Sequence, residues 1–294
     1  MTVDRSTTLS EVGPITQMVV KHARDAFGSD ARIAAEWLAL NFAGAPYLVP
    51  AIEQYDRFLE ALRLSGAEIL QLPPAAGVGL DSIYVRDASI VCDRGVILCH
   101  MGKPARRGEP FAQAEAFRGW GIAVVGAIRA PGQIEGGDVV WLDGRTIAVG
   151  RGYRTNDEGI GQLRALLADS IDELIVVPLP HYRGPTDVFH LMSIISPVDR
   201  DLAVVYSPLM PVPFRELLVD RGMTLVEVPD AEFEMMGANV LAIGPRRCVM
   251  VEGNPKTRAL LERAGATVVE YDGTEISLKG GGGPTCLTRP ILRA

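Results

Sequence analysis

A unit of strand, tight turn, strand, helix and strand recurs roughly every fifty residues along this chain of 294, and the repetition limits its possible folds more than any other feature. VRDASIVCDRGVILCHM (85–101), EGGDVVWLDGRTIAVG (135–150), FHLMSIISPVDRDLAVVYS (189–207) and GANVLAIGPRRCVMV (237–251) each place a small or polar pivot before an apolar run. A tight turn (DRG, LDGR, PVDRD or GPRR) and a second apolar run follow, the pattern of a β-hairpin. ITQMVVKHA (15–23) and CLTRPIL (286–292) read as the two halves of a fifth, split copy. After each hairpin comes a helical pattern and then another apolar run, as in YDRFLEALRLSGAEILQLP, FAQAEAFRGWGIAVVGAI, NDEGIGQLRALLADSIDELIVVPLP, PFRELLVDRGMTLVEVP and NPKTRALLERAGATVVEYD. Glycine at the helix stop is a C-cap signal, and Ser207-Pro208 and Asn254-Pro255 are helix-start signals. Such units cannot each bury a sheet face alone, so they must close on one another, most simply as a five-bladed α/β ring or propeller. The expectation is one catalytic domain over residues 1–294, with an ordinary doubly wound α/β sheet as the alternative.

Hydrophobic residues make up 48% and aromatics only 6%, so the core must be mostly Val, Ile, Leu and Ala. The net charge of −7 and the lack of a basic patch argue against nucleic acid and anionic membrane surfaces as partners, and fit a small cationic substrate better. No apolar run approaches the roughly 20 residues that cross a bilayer, and MTVDRSTTLSEVGP lacks a signal-peptide shape, so the expected location is cytoplasmic. Cys92, Cys99, Cys248 and Cys286 form no CxxC pair, which speaks against a disulfide framework or a zinc site and leaves a nucleophile possible.

The pivots carry an unusual set for a scaffold: Asp81 and Asp87, Glu135 and Asp138, His190, Asn239, and Cys286. Carboxylates beside apolar strands are costly unless a cation pairs with them. One thiol, one imidazole and several carboxylates converging on a cleft are the parts of a thiol-nucleophile enzyme. Cys286 follows four glycines (280–283), which suit close approach to a ligand or a moving lid; their bland reading is a flexible loop. Glu135-Gly-Gly-Asp138 places two carboxylates around a pivot with room for a ligand, or is an ordinary acidic turn. His190 stands out only by its pivot position; His22, His100 and His181 read as structural, and Cys92, Cys99 and Cys248 as buried small hydrophobes. Arg106 and Arg154 read as solvated surface arginines, or as bidentate clamps if the substrate bears a carboxylate.

SIYVRDASIV, IEGGDVVWLDG, FHLMS and GGGGPTCLT, in this order and spacing over nearly the whole chain, resemble the guanidino-modifying enzymes: dimethylarginine dimethylaminohydrolases, arginine deiminases and amidinotransferases. The resemblance implies the pentein fold, five ββαβ units about a pseudo-fivefold axis. It implies Cys286 as nucleophile, His190 as general acid/base and Glu135 as the group that holds and polarises His190. It sets Asp87, with help from Asp138, at the guanidinium, Asp81 at the α-amine, and Arg106 and Arg154 near the α-carboxylate. Met192 stands where deiminases and amidinotransferases carry the Asp of His-x-Asp, as in dimethylaminohydrolases, and favours a substituted or hydrophobic guanidinium end. Arg86, where dimethylaminohydrolases often have Glu, and the Gly-rich loop are departures towards the deiminases. The stretch 27–47 is long for a first linker and reads as a candidate lid. The implied reaction is hydrolysis of dimethylarginine to citrulline and dimethylamine through a thiouronium adduct, with no metal or cofactor; a homodimer is an expectation from general grounds alone. Arginine deiminase, amidinotransferase and a non-catalytic pentein are the alternatives.

Overall fold

The computed structural model describes residues 9–294. The strand β1 (Ile15–Val20) is followed by three helices, α1 (Ala23–Phe27), α2 (Asp30–Glu36) and α3 (Leu48–Arg63), and by β2 (Glu68–Gln71). The second blade is β3 (Ser89–Cys92), β4 (Gly95–Leu98), α4 (Glu109–Gly119) and β5 (Val124–Ala127). The third is β6 (Val139–Trp141), β7 (Thr146–Arg151), α5 (Asp157–Leu166) and β8 (Glu173–Pro178). The fourth is β9 (Ile195–Asp199), β10 (Leu202–Val205), α6 (Val212–Asp220) and β11 (Thr224–Glu227), followed by the short α7 (Asp230–Phe233). The fifth is β12 (Leu241–Gly244), β13 (Arg247–Val251), α8 (Pro255–Arg263) and β14 (Thr267–Tyr271). A last strand, β15 (Thr288–Arg293), returns to the first blade and pairs antiparallel with β1, whose other edge pairs parallel with β2.

Each of the five sheets therefore has three strands, an antiparallel pair plus a parallel third strand reached through helix, the pair being a hairpin in the last four blades and β1 with β15 in the first. The split first copy forms as the sequence predicts. Two-residue turns at Asp93–Arg94, Arg200–Asp201 and Pro245–Arg246 link three of the hairpins. Gly66, Gly121, Gly222 and Gly265 follow α3, α4, α6 and α8 with φ between +71° and +85°, a left-handed conformation that a Cβ would strain. Ser207-Pro208 begins a 3₁₀ turn rather than α6, which starts at Val212. Pro211 disfavours helical geometry at Met210 and separates the two.

Side-chain alternation along each middle strand explains how the ring closes. In β7, Ile147 and Val149 face the second blade and Ala148 faces the fourth. In β10, Ala203 and Val205 pack towards the third blade, Leu202 and Val204 towards the fifth. In β13, Cys248 and Met250 join the fourth blade, Val249 and Val251 the first. In β1, Met18 and Val20 look to the fifth blade and Val19 to the second. The core is thus divided into apolar layers between neighbouring blades, and no blade owns one. The strands nearest the axis are buried end to end in β3 and β12, as continuous apolar runs require. Cys92, Cys99 and Cys248 are buried in these layers as expected. No helix among the described residues is long and apolar enough to cross a membrane.

Candidate active site

Short 3₁₀ turns precede the axial strands and deliver the pivot residues to one end of the ring: Val85–Ala88 before β3, Gly136–Asp138 before β6 and Leu191–Ser193 before β9. Here Asp81, Asp87, His190, Asn239 and Cys286 line one cavity of about 420 Å³, a volume suited to a small molecule. Met192, Val188, Phe189, Phe233 and Met236 supply an apolar wall. Leu40, Asn41 and Ala43 line the same cavity, so the long first linker lies where a cover would. Lys103 Nζ donates to Leu40 O (2.7 Å) and Asn41 Nδ2 to Thr186 O (3.3 Å), tying the linker to the second and third blades.

His190 is held from several directions. Its Nε2–H donates to Glu135 Oε2 (2.8 Å), leaving Nδ1 as the other nitrogen, 3.8 Å from Asp87 Oδ1. Its backbone N–H donates to Ser193 Oγ (3.1 Å), and the next N–H, of Leu191, to Asp138 Oδ1 (3.0 Å). Burial opposes a charge on the ring, but Asp87, Asp138 and Glu135 together outweigh it and raise His190 to about 9. Glu135 is fully buried and accepts from Arg154 Nη1 (3.2 Å) and the Lys103 N–H (3.0 Å). Burial would raise its pKa; the His190 bond and the Arg154 charge overcome that and hold it well below the usual carboxylate range. Asp138, by contrast, is pushed up to about 6 by burial. It does not line the cavity. Its Oδ2 accepts from Thr155 Oγ1 (2.6 Å), and its place is behind His190, anchoring that turn, rather than beside a guanidinium as the resemblance implied.

Cys286 is partly exposed at the cavity wall. Asn239 Nδ2 lies 3.4 Å from its Sγ, and Asn239 Oδ1 accepts from both the N–H (3.0 Å) and the hydroxyl (2.9 Å) of Thr285. Burial, then the charge of Asp87, push the Cys286 thiol up. Asn239 occupies the pivot of the fifth blade, a placement visible in the repeat, but its amide's part in seating the thiol depends on a contact across 47 residues.

The glycines have a different use from the one the sequence suggested. A Cβ on Gly136 would lie 2.2 Å from Arg86 O, and one on Gly137 would lie 2.5 Å from His190 Nδ1. A Cβ on Gly280 would meet Tyr84 Oη at 1.9 Å, and one on Gly283 would meet Asn239 Oδ1 at 2.5 Å. At these four positions the space a side chain would need is filled by the protein itself, so the glycines permit close packing of the site, while Gly280, Gly281 and Gly282 also line the cavity.

Arg106 and Arg154 are buried, at 2% and 5% exposure, which corrects the surface reading. Arg106 grips Glu109 through Nε and Nη2 (2.9 and 2.8 Å), Asp87 Oδ2 through Nη1 (2.5 Å), and Tyr84 O through Nη2 (2.9 Å). It braces Asp87, whose Oδ1 also accepts from the Gly137 N–H (3.1 Å). Asp81 lies 2.6 Å from Lys103 Nζ, a partner that sequence reading missed. Ligand atoms of Asp87, Glu135 and His190 lie within 4.8 Å of one another, close enough to hold a cation. Arg106 and Arg154 already bond these carboxylates and would repel a divalent metal there. His22 caps α1 by accepting the Arg24 N–H at Nδ1 (3.0 Å), and His100 lies 2.5 Å from Gly132 O, both structural as predicted.

A thiol beside an amide, an imidazole fixed by a buried carboxylate, and acidic groups in one cavity equip the site for nucleophilic attack on a cationic carbon. Residues 47–293 match the family described as "N,N dimethylarginine dimethylhydrolase, eukaryotic". The chain belongs to the dimethylarginine dimethylaminohydrolase family. Within this pentein family it is 34% identical over 238 residues to the N(G),N(G)-dimethylarginine dimethylaminohydrolase of Streptomyces coelicolor, covering 81% of this chain and 84% of that one. The dimethylarginine dimethylaminohydrolase of Pseudomonas aeruginosa, solved as a variant complexed with citrulline, superposes with a TM-score of 0.74 at 25% identity, over 96% of this chain and all of that one. An arginine deiminase of Listeria welshimeri is 27% identical over 71% of this chain and 61% of its own length. The five-bladed α/β propeller and a guanidino hydrolase of the dimethylaminohydrolase family are thereby established.

Proposed function

We propose that the chain hydrolyses Nω,Nω-dimethyl-L-arginine to L-citrulline and dimethylamine, with Cys286 as nucleophile and His190 as the proton carrier. The observation that carries this reading is one cavity that joins Cys286, His190 and Asp87 to an apolar wall containing Met192. At that wall a second carboxylate would grip an unsubstituted guanidinium, whereas a thioether accommodates methyl groups.

A guanidinium carbon is a poor electrophile because its charge is delocalised. Asp87 pairs with one nitrogen edge and orients the carbon towards the thiol. The Cys286 proton is held by burial and by the charge of Asp87. The bound cation offsets both and releases the proton to solvent. The thiolate attacks, forming a C–S bond, and the tetrahedral adduct collapses with cleavage of the C–N bond. With Nε2 engaged by Glu135, Nδ1 of His190 gives its proton to the departing dimethylamine. The neutral imidazole then takes a proton from water as its oxygen bonds to the thiouronium carbon. The C–S bond breaks as the added hydroxyl gives its proton to the departing sulfur, leaving the neutral ureido product and the free thiol. Asp81 faces the α-ammonium in exchange for Lys103. Arg106 and Arg154 draw the α-carboxylate by their field, since Asp87 and Glu109 hold Arg106 and Glu135 holds Nη1 of Arg154.

Purified protein supplied with dimethylarginine, with arginine, and with arginine plus glycine separates the readings. Citrulline and dimethylamine from the first substrate alone is the expected result. Ammonia released from arginine at the higher kcat/KM would establish the deiminase reading, which the Gly-rich Cys286 loop and the Listeria relative favour. Cys286→Ser should lower kcat by about 10³-fold or more while the thermal midpoint is retained.

A further inference from the structure

Three arginines converge on a small hollow behind Arg86, which shares no lining residue with the catalytic cavity. Arg86, Arg289 and Arg293 line it together with Ser10, Glu11 and Trp141, and its volume is about 20 Å³. The three are 1%, 5% and 4% exposed. A volume slightly above the roughly 10–15 Å³ one water needs suits a single monatomic guest.

The donors outnumber their acceptors. Arg86 Nε donates to Thr285 O (2.7 Å) and Nη1 to Glu11 Oε2 (3.4 Å). Arg289 Nη2 donates to Arg86 O, and Arg293 Nη1 to Gly13 O (2.5 Å) and Ala242 O (2.9 Å). Arg86 Nη2, Arg289 Nε, and Nε and Nη2 of Arg293 are buried with no acceptor among the described residues. Among the described residues Glu11 is the carboxylate in contact with the cluster, through Arg86, and Arg289 and Arg293 have no carboxylate within ion-pair distance. Burial, reinforced by Arg86, pulls Arg289 down to about 9; burial outweighs Glu11 and pulls Arg293 down to about 10. Both remain charged at neutral pH, and a buried charge without a counter-charge is strongly unfavourable.

We propose that this hollow binds a monatomic halide, chloride in ordinary conditions, which completes the coordination of Arg86, Arg289 and Arg293. The ion is tied to the nucleophile's backbone. Arg86 holds the carbonyl of Thr285 through Nε and that of Cys286 through its own N–H (3.2 Å). A filled hollow fixes the Arg86 guanidinium, and with it the loop that seats the thiol.

Urea unfolding is measured with chloride replaced stepwise by gluconate at constant ionic strength. Once chloride exceeds its Kd, each tenfold increase should raise the folded-to-unfolded ratio about tenfold. The dependence should vanish in Arg293→Met. Crystals of the unaltered protein grown in bromide should show an anomalous peak between the three guanidiniums, a readout independent of whether the variant folds. Stability indifferent to halide, a dependence retained in Arg293→Met, or crystals without a peak in the hollow would each overturn the proposal.

Discussion

Gly137 illustrates how little slack the site has. A methyl group there would lie 2.5 Å from His190 Nδ1 and 2.8 Å from Asp87 Oδ1, so Gly137→Ala must displace the imidazole from Asp87 or from Glu135. Displacements of this size cost about 10²-fold in rate, and kcat/KM of the variant should fall by that amount with binding of citrulline largely kept. The raised groups also set a pH dependence. His190 keeps its proton until about pH 9, while the Cys286 thiol is protonated at neutral pH, so kcat/KM should climb from pH 6 and fall once His190 deprotonates. The same ring affects stability. Its folded pKa is above the unfolded value of about 6.5, so its contribution is complete below that value and is lost as pH rises through about 9. Urea midpoints measured on either side of this window should differ less in His190→Gln than in the parent. Cys286, His190 and Glu135 were legible because each stands at a pivot before an axial strand. The bracing of Asp87 by Arg106 was not, because that pair spans 19 residues and nothing in PARRGEP marks which carboxylate the guanidinium will reach.

At the level of elements, α8 shows where a sequence signal and its physical cause part. Asn254-Pro255 marks the helix start correctly, yet Asn254 gives the helix no side-chain cap; its Nδ2 donates to Met235 O (2.8 Å) and Val251 O (3.0 Å). The cap comes from Glu232 of α7, which accepts the N–H groups of Lys256 and Thr257 (2.8 Å each) and the Thr257 hydroxyl (2.7 Å). A carboxylate contributed by a neighbouring helix leaves no local pattern to read. Burial would raise Glu232, but the Thr257 bonds prevail and lower it. Its stabilisation is therefore present above the ordinary carboxylate pKa and is lost as pH falls through the lowered one. Glu232→Ala should cost about 1–2 kcal/mol at neutral pH by urea denaturation, and the difference should shrink in acid. The strand–turn–strand–helix–strand order was readable throughout because the hydrophobic period changes from alternating or continuous to helical within each unit. The Ser207-Pro208 signal failed only because Pro211 interrupts the chain before α6.

For the molecule as a whole, the apolar layers lie between blades, so the described residues form a ring in which every layer depends on two neighbours. Removing residues 288–294 strips β1 of its antiparallel partner and takes Ile291 from the layer between the first and second blades. The shortened chain should show no cooperative urea transition and no turnover, whereas the parent should unfold in one transition coincident by fluorescence, circular dichroism and activity. The ring was legible as five copies; the choice of which residue faces which neighbour follows from register, which a single sequence does not state. The placement of the working groups on short turns outside the strands also separates two burdens on the sequence. Strand interiors answer for closure, and the turn tips answer for chemistry. A new reaction can therefore be sought by exchanging a side chain such as Met192 on one tip, with the architecture beneath it left as it stands.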